Sequence, residues 1–561
     1  MQLVIALLLA VSALGPAPGR SGPTIGAGAV VDTVPALIRD RVGAGGGGLL
    51  AREQAQRFYA GRAYTPAWSS EEGVARDARG ALALVVGAAD DGLRAEDYRA
   101  ADVGGTIAAM DAAVGAGARL APARRAALDV ALTDAVLSYA GHLVRGRVAP
   151  QRIHPGWALA PRGGDVVAAL EAGLREGDVP STIRRLAPSG NEYEGLREAL
   201  RQYRQIERTG GWAPLPAGPT LRPGDDGAAV ARLRERLAAE VPVAATNSPD
   251  VYSSELAEAV RLFQRTRGLA EDAAIGPATR AQLNVPVGRR IEQIALAMER
   301  ARWIPDGLGS RYIRVDIPAF ELRVMEAGEP VLEMRVIGGR PDWRTPVFSG
   351  RMTSVALSPY WNIPTSIVTD EILPAVRRDP AYLTRNEIRV VSGSGAAERI
   401  VDASGIDWSR FDPARSAYRL RQDPGPRNPL GAVKFLFPNR YNVYLHDTPN
   451  RELFAQAERA FSHGCMRVER PLELAEYVLG SQGWSREAIA EGMAAGVERV
   501  VALERPIPVH VVYQTAWIDS AGRMEFRKDL YGHDAALGAA LQGTATFAAD
   551  RLSGDCTSSE G

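Results

Sequence analysis

The chain has 561 residues, 66 basic and 66 acidic side chains, and a formal net charge of zero. Length alone suggests roughly four domains. The balanced charge, with no long run of one sign, argues against nucleic acid as the partner.

Residues 3–14 form a nearly unbroken apolar stretch, followed by small residues and proline. It is too short to span a bilayer comfortably and reads as the core of a secretory signal over residues 1–20. The alternative is an uncleaved signal that anchors the chain to the inner membrane. Residues 21–48, rich in Gly, Pro and Ala, read as a linker. From 50 to 210 the pattern is helical: Leu128, Leu132, Ala135, Tyr139 and Leu143 recur on one helix face. The Pro- and Gly-containing stretch 186–222 is expected to hold a domain boundary.

Residues 221–284 read as a compact three-helix unit. Val230, Leu233 and Leu237 mark the first helix, and Leu256, Val260 and Phe263 the second. The third starts at Gly276-Pro277, with proline at the first helical position, and runs to Leu283. The unit carries no ionisable cluster of catalytic type, so binding is its expected role.

From Arg311 to about residue 540 the character changes to strands, with alternation over 312–317, at Leu322, Val324, Val331, Met334 and Val336, and again over 434–437 and 441–445. A mixed stretch, about 361–428, reads as an insertion covering something. A helix is expected over 472–479 and late strands at 509–512 and 524–526. The tail, 550–561, carries no structural signal and reads as disordered. The fold class is therefore multi-domain α+β: a helical domain, a small three-helix bundle and a β-rich domain bearing an insertion.

The ten residues 462–471, SHGCMRVERP, hold one of only two cysteines. Cys465 has His463 two places before it and Arg467 two places after, and His446 lies nineteen residues upstream. A lone thiol with histidines in reach is the material of thiolate nucleophilic catalysis. The other cysteine, Cys556, sits in the tail, so Cys465 is expected to be free. Read as a strand, 441–446 places Asn442, Tyr444 and His446 on one face, with His446 at its tip. The start of a helix near Pro471 and the Arg467 charge would lower the thiol pKa. The N–H groups of Gly464 and Cys465 could form an oxyanion hole, and Arg467 suits a carboxylate. The plainer readings are a buried small hydrophobe at Cys465, satisfied histidines and a surface arginine. His446, Asp447, His463 and Cys465 are ligand types, but their spacing matches no common zinc pattern.

His446, fifteen residues, then Ser462-His463-Gly464-Cys465-Met466-Arg467 resembles the signature of the L,D-transpeptidase catalytic domain. Asp447 stands where that family more often has glycine, which resembles its large multi-domain members in Gram-negative bacteria. Residues 221–284 are similar to peptidoglycan-binding domain 1, with Asp226-Gly227, Phe263-Gln264 and Gly276-Pro277 among the matching positions. Residues 64–68 and 132–150 resemble the helical scaffold domain of the large members, and 358–364 the start of their capping insertion.

The resemblance implies an exported, periplasmic enzyme that uses no metal or cofactor. Cys465 would attack the third residue of a peptidoglycan tetrapeptide stem, release D-Ala, and pass the acyl group to a neighbouring stem as a 3→3 cross-link. It implies His446 as base, with His463 as competitor and Asp447 as a histidine's orienter. Gly464 and Cys465 would be backbone donors, and Tyr444, Trp361 and Arg467 substrate contacts. It also implies acylation of Cys465 by carbapenems and wall synthases as partners.

Overall fold

The computed structural model describes residues 33–43, 48–393 and 395–543. The signal segment and the tail with Cys556 lie outside them. The expected α+β division holds: a helical half, a small bundle and a β-rich half follow in chain order.

The helical half is built around α5. Its helices are α1 (Val34–Val42), α2 (Arg52–Gly61), α3 (Arg76–Val86), α4 (Ala100–Gly115), α5 (Pro122–Arg145), α6 (Val166–Glu176), α7 (Val179–Arg184) and α8 (Asn191–Arg208). Helix α5 is long and apolar enough to cross a membrane, but most of it is buried among its neighbours. Leu128, Leu132, Ala135, Tyr139 and Leu143 are all buried, as the helical spacing requires. Asp129 is 0% exposed and survives there because it is satisfied on all sides. It accepts from the Ala67 and Trp68 amides and from Ser69 Oγ at 2.5, 3.2 and 2.9 Å. Thr133, one turn on, accepts Trp68 Nε1 at 2.8 Å. These bonds explain why a Tyr64–Trp68 loop accompanies a helix of this composition. The linker reading of 21–48 needs correction over residues 34–42. They form α1, capped by Thr33, with Val34, Ile38 and Val42 buried against the core.

The bundle has α9 (Ala228–Ala238), α10 (Ser254–Thr266) and α11 (Pro277–Leu283), with the expected apolar positions inside. Helix α12 (Val287–Trp303) connects it to the strands and packs along α8. Helix α8 falls in the stretch 186–222 whose composition reads as boundary.

The β-rich half is a mixed nine-stranded sheet with an excursion of four strands. Its strands are β1 (Arg311–Asp316), β2 (Glu321–Glu326), β3 (Glu329–Gly339), β4 (Phe348–Leu357), β5 (Trp361–Asn362), β6 (Ile388–Ser392), β7 (Arg399–Val401), β8 (Tyr418–Gln422), β9 (Val433–Leu436), β10 (Leu445–His446), β11 (Ala460–Ser462), β12 (Met466–Val468), β13 (Arg499–Val512), β14 (Ala516–Ile518) and β15 (Met524–Phe526). The large sheet runs β11-β3-β12-β10-β9-β4-β13-β1-β2, and β2 also pairs with β3, which curls the sheet back on itself. A core led by Val315, Leu322, Val355, Phe435 and Leu445 fills the interior. The excursion forms its own sheet, β5-β8-β6-β7, with its own apolar core.

The helical half docks on the sheet through the loop after α5. Arg440 donates to the Pro155 carbonyl at 2.6 Å. Gly156 lies so close to Tyr441 that a Cβ there would meet its hydroxyl at 2.3 Å. Glu299 of α12, 1% exposed, accepts the Arg147 and Val148 amides at 2.5 and 2.9 Å.

Candidate active site

Neighbouring strands bring the segments that carry Cys465 and His446 side by side. β10 and β12 are parallel, with Leu445 opposite Met466 and His446 opposite Arg467. On its other side β10 pairs with β9, placing His446 opposite Lys434. Residues directly opposite in a ladder face the same way, so His446 stands between two cations. Cys465, at the entry to β12, is 8% exposed, and its Sγ lies 3.9 Å from the Asn442 carbonyl. Among the described residues it forms no disulfide.

The strand reading of 441–446 holds only for its last two residues. Asn439 Oδ1 accepts the Tyr441 and Val443 amides at 3.0 and 3.2 Å, which curls the chain into a turn. Asn442 then takes a left-handed φ of 51°, a conformation asparagine tolerates. The face shared by Tyr444 and His446 survives, with ring centroids 5.7 Å apart; Asn442 leaves it. Lys434 Nζ sits 3.9 Å over the Tyr444 ring.

His446 is 4% exposed. Burial pulls its pKa down to about 3, helped by the Arg467 and Lys434 charges and opposed by the carbonyls of Asp447 and Leu430. The ring is therefore neutral near pH 7. Its Nδ1 lies 2.5 Å from the Asp447 carbonyl oxygen. A carbonyl only accepts, so Nδ1 carries the proton and the lone pair is on Nε2. This corrects the expected part of Asp447. Its main-chain oxygen orients His446, while its carboxylate accepts from the Ala432 amide at 2.9 Å and from Arg451 at 3.1 Å.

His463 has a different setting. Its Nε2 lies 2.6 Å from Glu371 Oε1 and 3.0 Å from Arg340 Nη2, and Trp343 packs edge-on at 5.0 Å. Glu371 belongs to a π-helical turn, Val368–Ile372, within the excursion. The excursion thus touches the cysteine motif directly. Arg340, Trp343 and Glu371 gave no signal in the sequence, because nothing there announces a contact across ninety or more residues of chain.

The Gly464 amide is already engaged. It donates to Ser462 Oγ at 3.1 Å, and Ser462 donates to the Cys465 carbonyl at 2.5 Å. Of the expected oxyanion pair, the Gly464 half is thus spent inside the loop. Gly464 itself has φ 111°, which a side chain would resist. The helix expected to act on the thiol, Pro471–Leu479, begins beyond β12, so the whole strand separates it from Cys465. Arg467 is the nearer positive charge: the cysteine pulls its pKa up while burial pulls it down, with burial the larger. Its Nε is buried without a hydrogen-bond partner. Trp361 packs against the excursion's own core. No cluster of His, Cys, Asp or Glu suited to a metal occurs among the described residues.

Three family models match the chain in order: a Scaffold domain over residues 53–200, a "Putative peptidoglycan binding domain" over 226–283, and an L,D-transpeptidase catalytic domain over 310–505. A Haemophilus influenzae protein named "Putative L,D-transpeptidase" is 35% identical over 243 residues, 43% of this chain and 48% of that protein. The chain thus spans about half the length of the curated relative it matches. Among solved structures, an L,D-transpeptidase from Xylanimonas cellulosilytica covers 53% of this chain and 99% of its own at 14% identity and a TM-score of 0.17. L,D-transpeptidase 1 of Mycobacterium tuberculosis covers 36% and 61% at 16% identity and a TM-score of 0.15. Residues 310–505, the part that holds β10, β12 and the cysteine loop between β11 and β12, match the L,D-transpeptidase catalytic domain and form that domain of the chain.

Proposed function

We propose that the protein is an exported, periplasmic L,D-transpeptidase that forms 3→3 cross-links in peptidoglycan. Its catalytic unit would be residues 311–540, with 361–428 as a cap. The observation that carries this reading is His446: a buried, neutral imidazole, its proton fixed on Nδ1 by the Asp447 carbonyl, on the strand beside the cysteine loop.

In the proposed reaction the Cys465 thiol gives its proton to His446 Nε2. The thiolate formed offsets the Arg467 charge that disfavours an imidazolium, so proton transfer becomes easier as it proceeds. Sulfur attacks the carbonyl of the third stem residue at its L-centre, forming a carbon–sulfur bond and an oxyanion. The intermediate expels D-Ala, whose amine takes the proton from His446, and leaves a thioester. The side-chain amine of a second stem then attacks, His446 removes its proton, and the thiolate departs as the amide forms. Arg467, Tyr444 and Trp361 would contact substrate. The bundle at 221–284 would hold the enzyme to the polymer, and wall synthases would be its neighbours there.

The test is incubation with disaccharide tetrapeptides, followed by mass spectrometry. Release of D-Ala with a cross-linked dimer is the expected result, together with a carbapenem adduct lost in Cys465→Ala. D-Ala release without dimer would make it a carboxypeptidase. Neither product nor adduct would remove the enzymatic reading.

A further inference from the structure

The cysteine loop is tied to a turn and a tail segment that the proposed reaction does not use. β3 ends at Gly339, and the chain turns back at Trp343–Thr345 so tightly that a Cβ on Gly339 would meet the Trp343 carbonyl at 2.0 Å. Thr345, 1% exposed, is the centre of this turn. Its hydroxyl accepts the Gly339 amide at 2.9 Å and donates to the Gly464 carbonyl at 2.8 Å. Tyr531, 4% exposed, lies after β15 and beyond the matched catalytic region. Its hydroxyl accepts the Thr345 amide at 3.2 Å and donates to the Gly339 carbonyl at 2.7 Å. Tyr531 is itself held: its amide donates to Tyr513 Oη at 2.8 Å, and Tyr513 donates to Asp529 at 2.7 Å.

The Gly464 carbonyl and the Cys465 N–H belong to one peptide plane, and in a trans peptide they point in opposite directions. No cis peptide occurs among the described residues. A bond that fixes the Gly464 oxygen therefore fixes the direction of the Cys465 amide. That constraint matters because glycine allows the plane to rotate at little cost. The Gly464 amide donates to Ser462 Oγ, and the Cys465 N–H is the other member of the expected oxyanion pair.

We propose that Thr345 and Tyr531 are positioning residues for acyl transfer: Thr345 tethers the Gly464 carbonyl and so aims the Cys465 N–H at the developing oxyanion, and Tyr531 holds Thr345 in place. This rests on Cys465 as the nucleophile. It makes the segment after β13 part of the active site's support.

Two reactions of the same thiol separate this role from a merely structural one. Acylation by imipenem passes through an oxyanion; alkylation by iodoacetamide does not. Thr345→Val keeps the shape and removes the hydroxyl, and should slow imipenem acylation about 100-fold, the cost of a lost oxyanion donor. Alkylation should stay within about threefold, and Thr345→Ser should restore acylation. Tyr531→Phe should show the same split at about tenfold and serves if Thr345→Val does not fold. Variants that acylate like the parent protein, or whose alkylation falls in step with acylation, would overturn the proposal. If the unmodified protein forms no imipenem adduct, the fault lies with the nucleophile assignment instead.

Discussion

Replacing His446 by alanine should cost far more activity than replacing His463, and the two environments give the size of the difference. His446 is buried and neutral, with Nδ1 committed to the Asp447 carbonyl. Removing a positioned general base costs about 10²–10⁴-fold, or about 3–5 kcal/mol of barrier. His463 is partly exposed, and its Glu371 partner is half-exposed. Pairs of that kind contribute about 0–1 kcal/mol, so its loss should cost a few-fold. The assay is stopped-flow acylation by imipenem after pH-jump mixing, so that acid unfolding does not intrude. Because burial, and then Arg467, hold His446 down to about 3, the parent protein should show no loss of rate centred near pH 6.5. Arg467→Gln should move the acid limb upward. His446→Ala within tenfold of the parent, with His463→Ala losing the larger share of the rate, would reverse the assignment.

Stability should fall on mild acidification. Burial lowers the pKa of His446 and His533 to about 3 and of His142 and His510 to about 4. The unfolded chain binds these protons near 6.5, so stability is present above that pH and is lost as pH falls towards the folded values. Each group gives up about 1.4 kcal/mol by pH 5.5; calorimetry should show a Tm that drops steeply from pH 7, and a flat profile would refute neutral burial. Glu240→Gln should destabilise by about 3–5 kcal/mol, because Arg236 and Arg267, at 2.6 and 2.7 Å, lose their buried partner; urea unfolding measures it. Asp447→Asn should lower Tm through the Ala432 and Arg451 contacts while changing imipenem acylation less than tenfold, since His446 uses the carbonyl. A loss as large as that of His446→Ala would restore the carboxylate to the site.

Much of this fold was legible where one face is buried. The three helices of 221–284 and helix α5 announce themselves because each must turn a continuous stripe inward. The strands over 311–336 do so because alternation there has a core to answer to. Helix α12 escaped because its buried face mixes charge with apolar residues: Arg290, Glu299, Arg300 and Arg302 lie inside beside Ile294, Ala297 and Met298, with Arg300 paired to the distant Asp534 and Arg302 to Glu299 one turn away. Residues 441–444 look like a strand because aromatic and β-branched residues alternate, but the Asn439 side chain overrides them locally. At the site, residue types and spacing singled out Cys465 and His446, and the structure places their segments on adjacent strands. They did not reveal which atom of Asp447 meets the ring, since carbonyl and carboxylate are equally adjacent in sequence. Thr345 and Tyr531 gave no signal, because a hydroxyl acting on a backbone carbonyl across the fold looks like any other threonine or tyrosine.

The units are joined by buried charge as much as by apolar contact, and this bears on how the site is presented. Arg302, 0% exposed at its side chain, meets Glu299 at 2.9 Å and Tyr193 of α8. Arg267 of the bundle ties Glu240 to the Met524 carbonyl of the β14–β15 hairpin, at 2.7 and 3.2 Å. Arg162 of the helical half meets Asp306 at 2.9 Å, next to the start of β1. An apolar joint tolerates sliding, because one methyl contact replaces another. A buried ion pair does not, since an angström of slip leaves a charge desolvated and unpaired. Each of these joints turns on a buried arginine that bonds across to another unit, and together they favour one orientation of bundle, helices and sheet. The contact of Gly156 with Tyr441 then falls a few residues before His446, so the helical half bears directly on the turn that leads into the strand of His446.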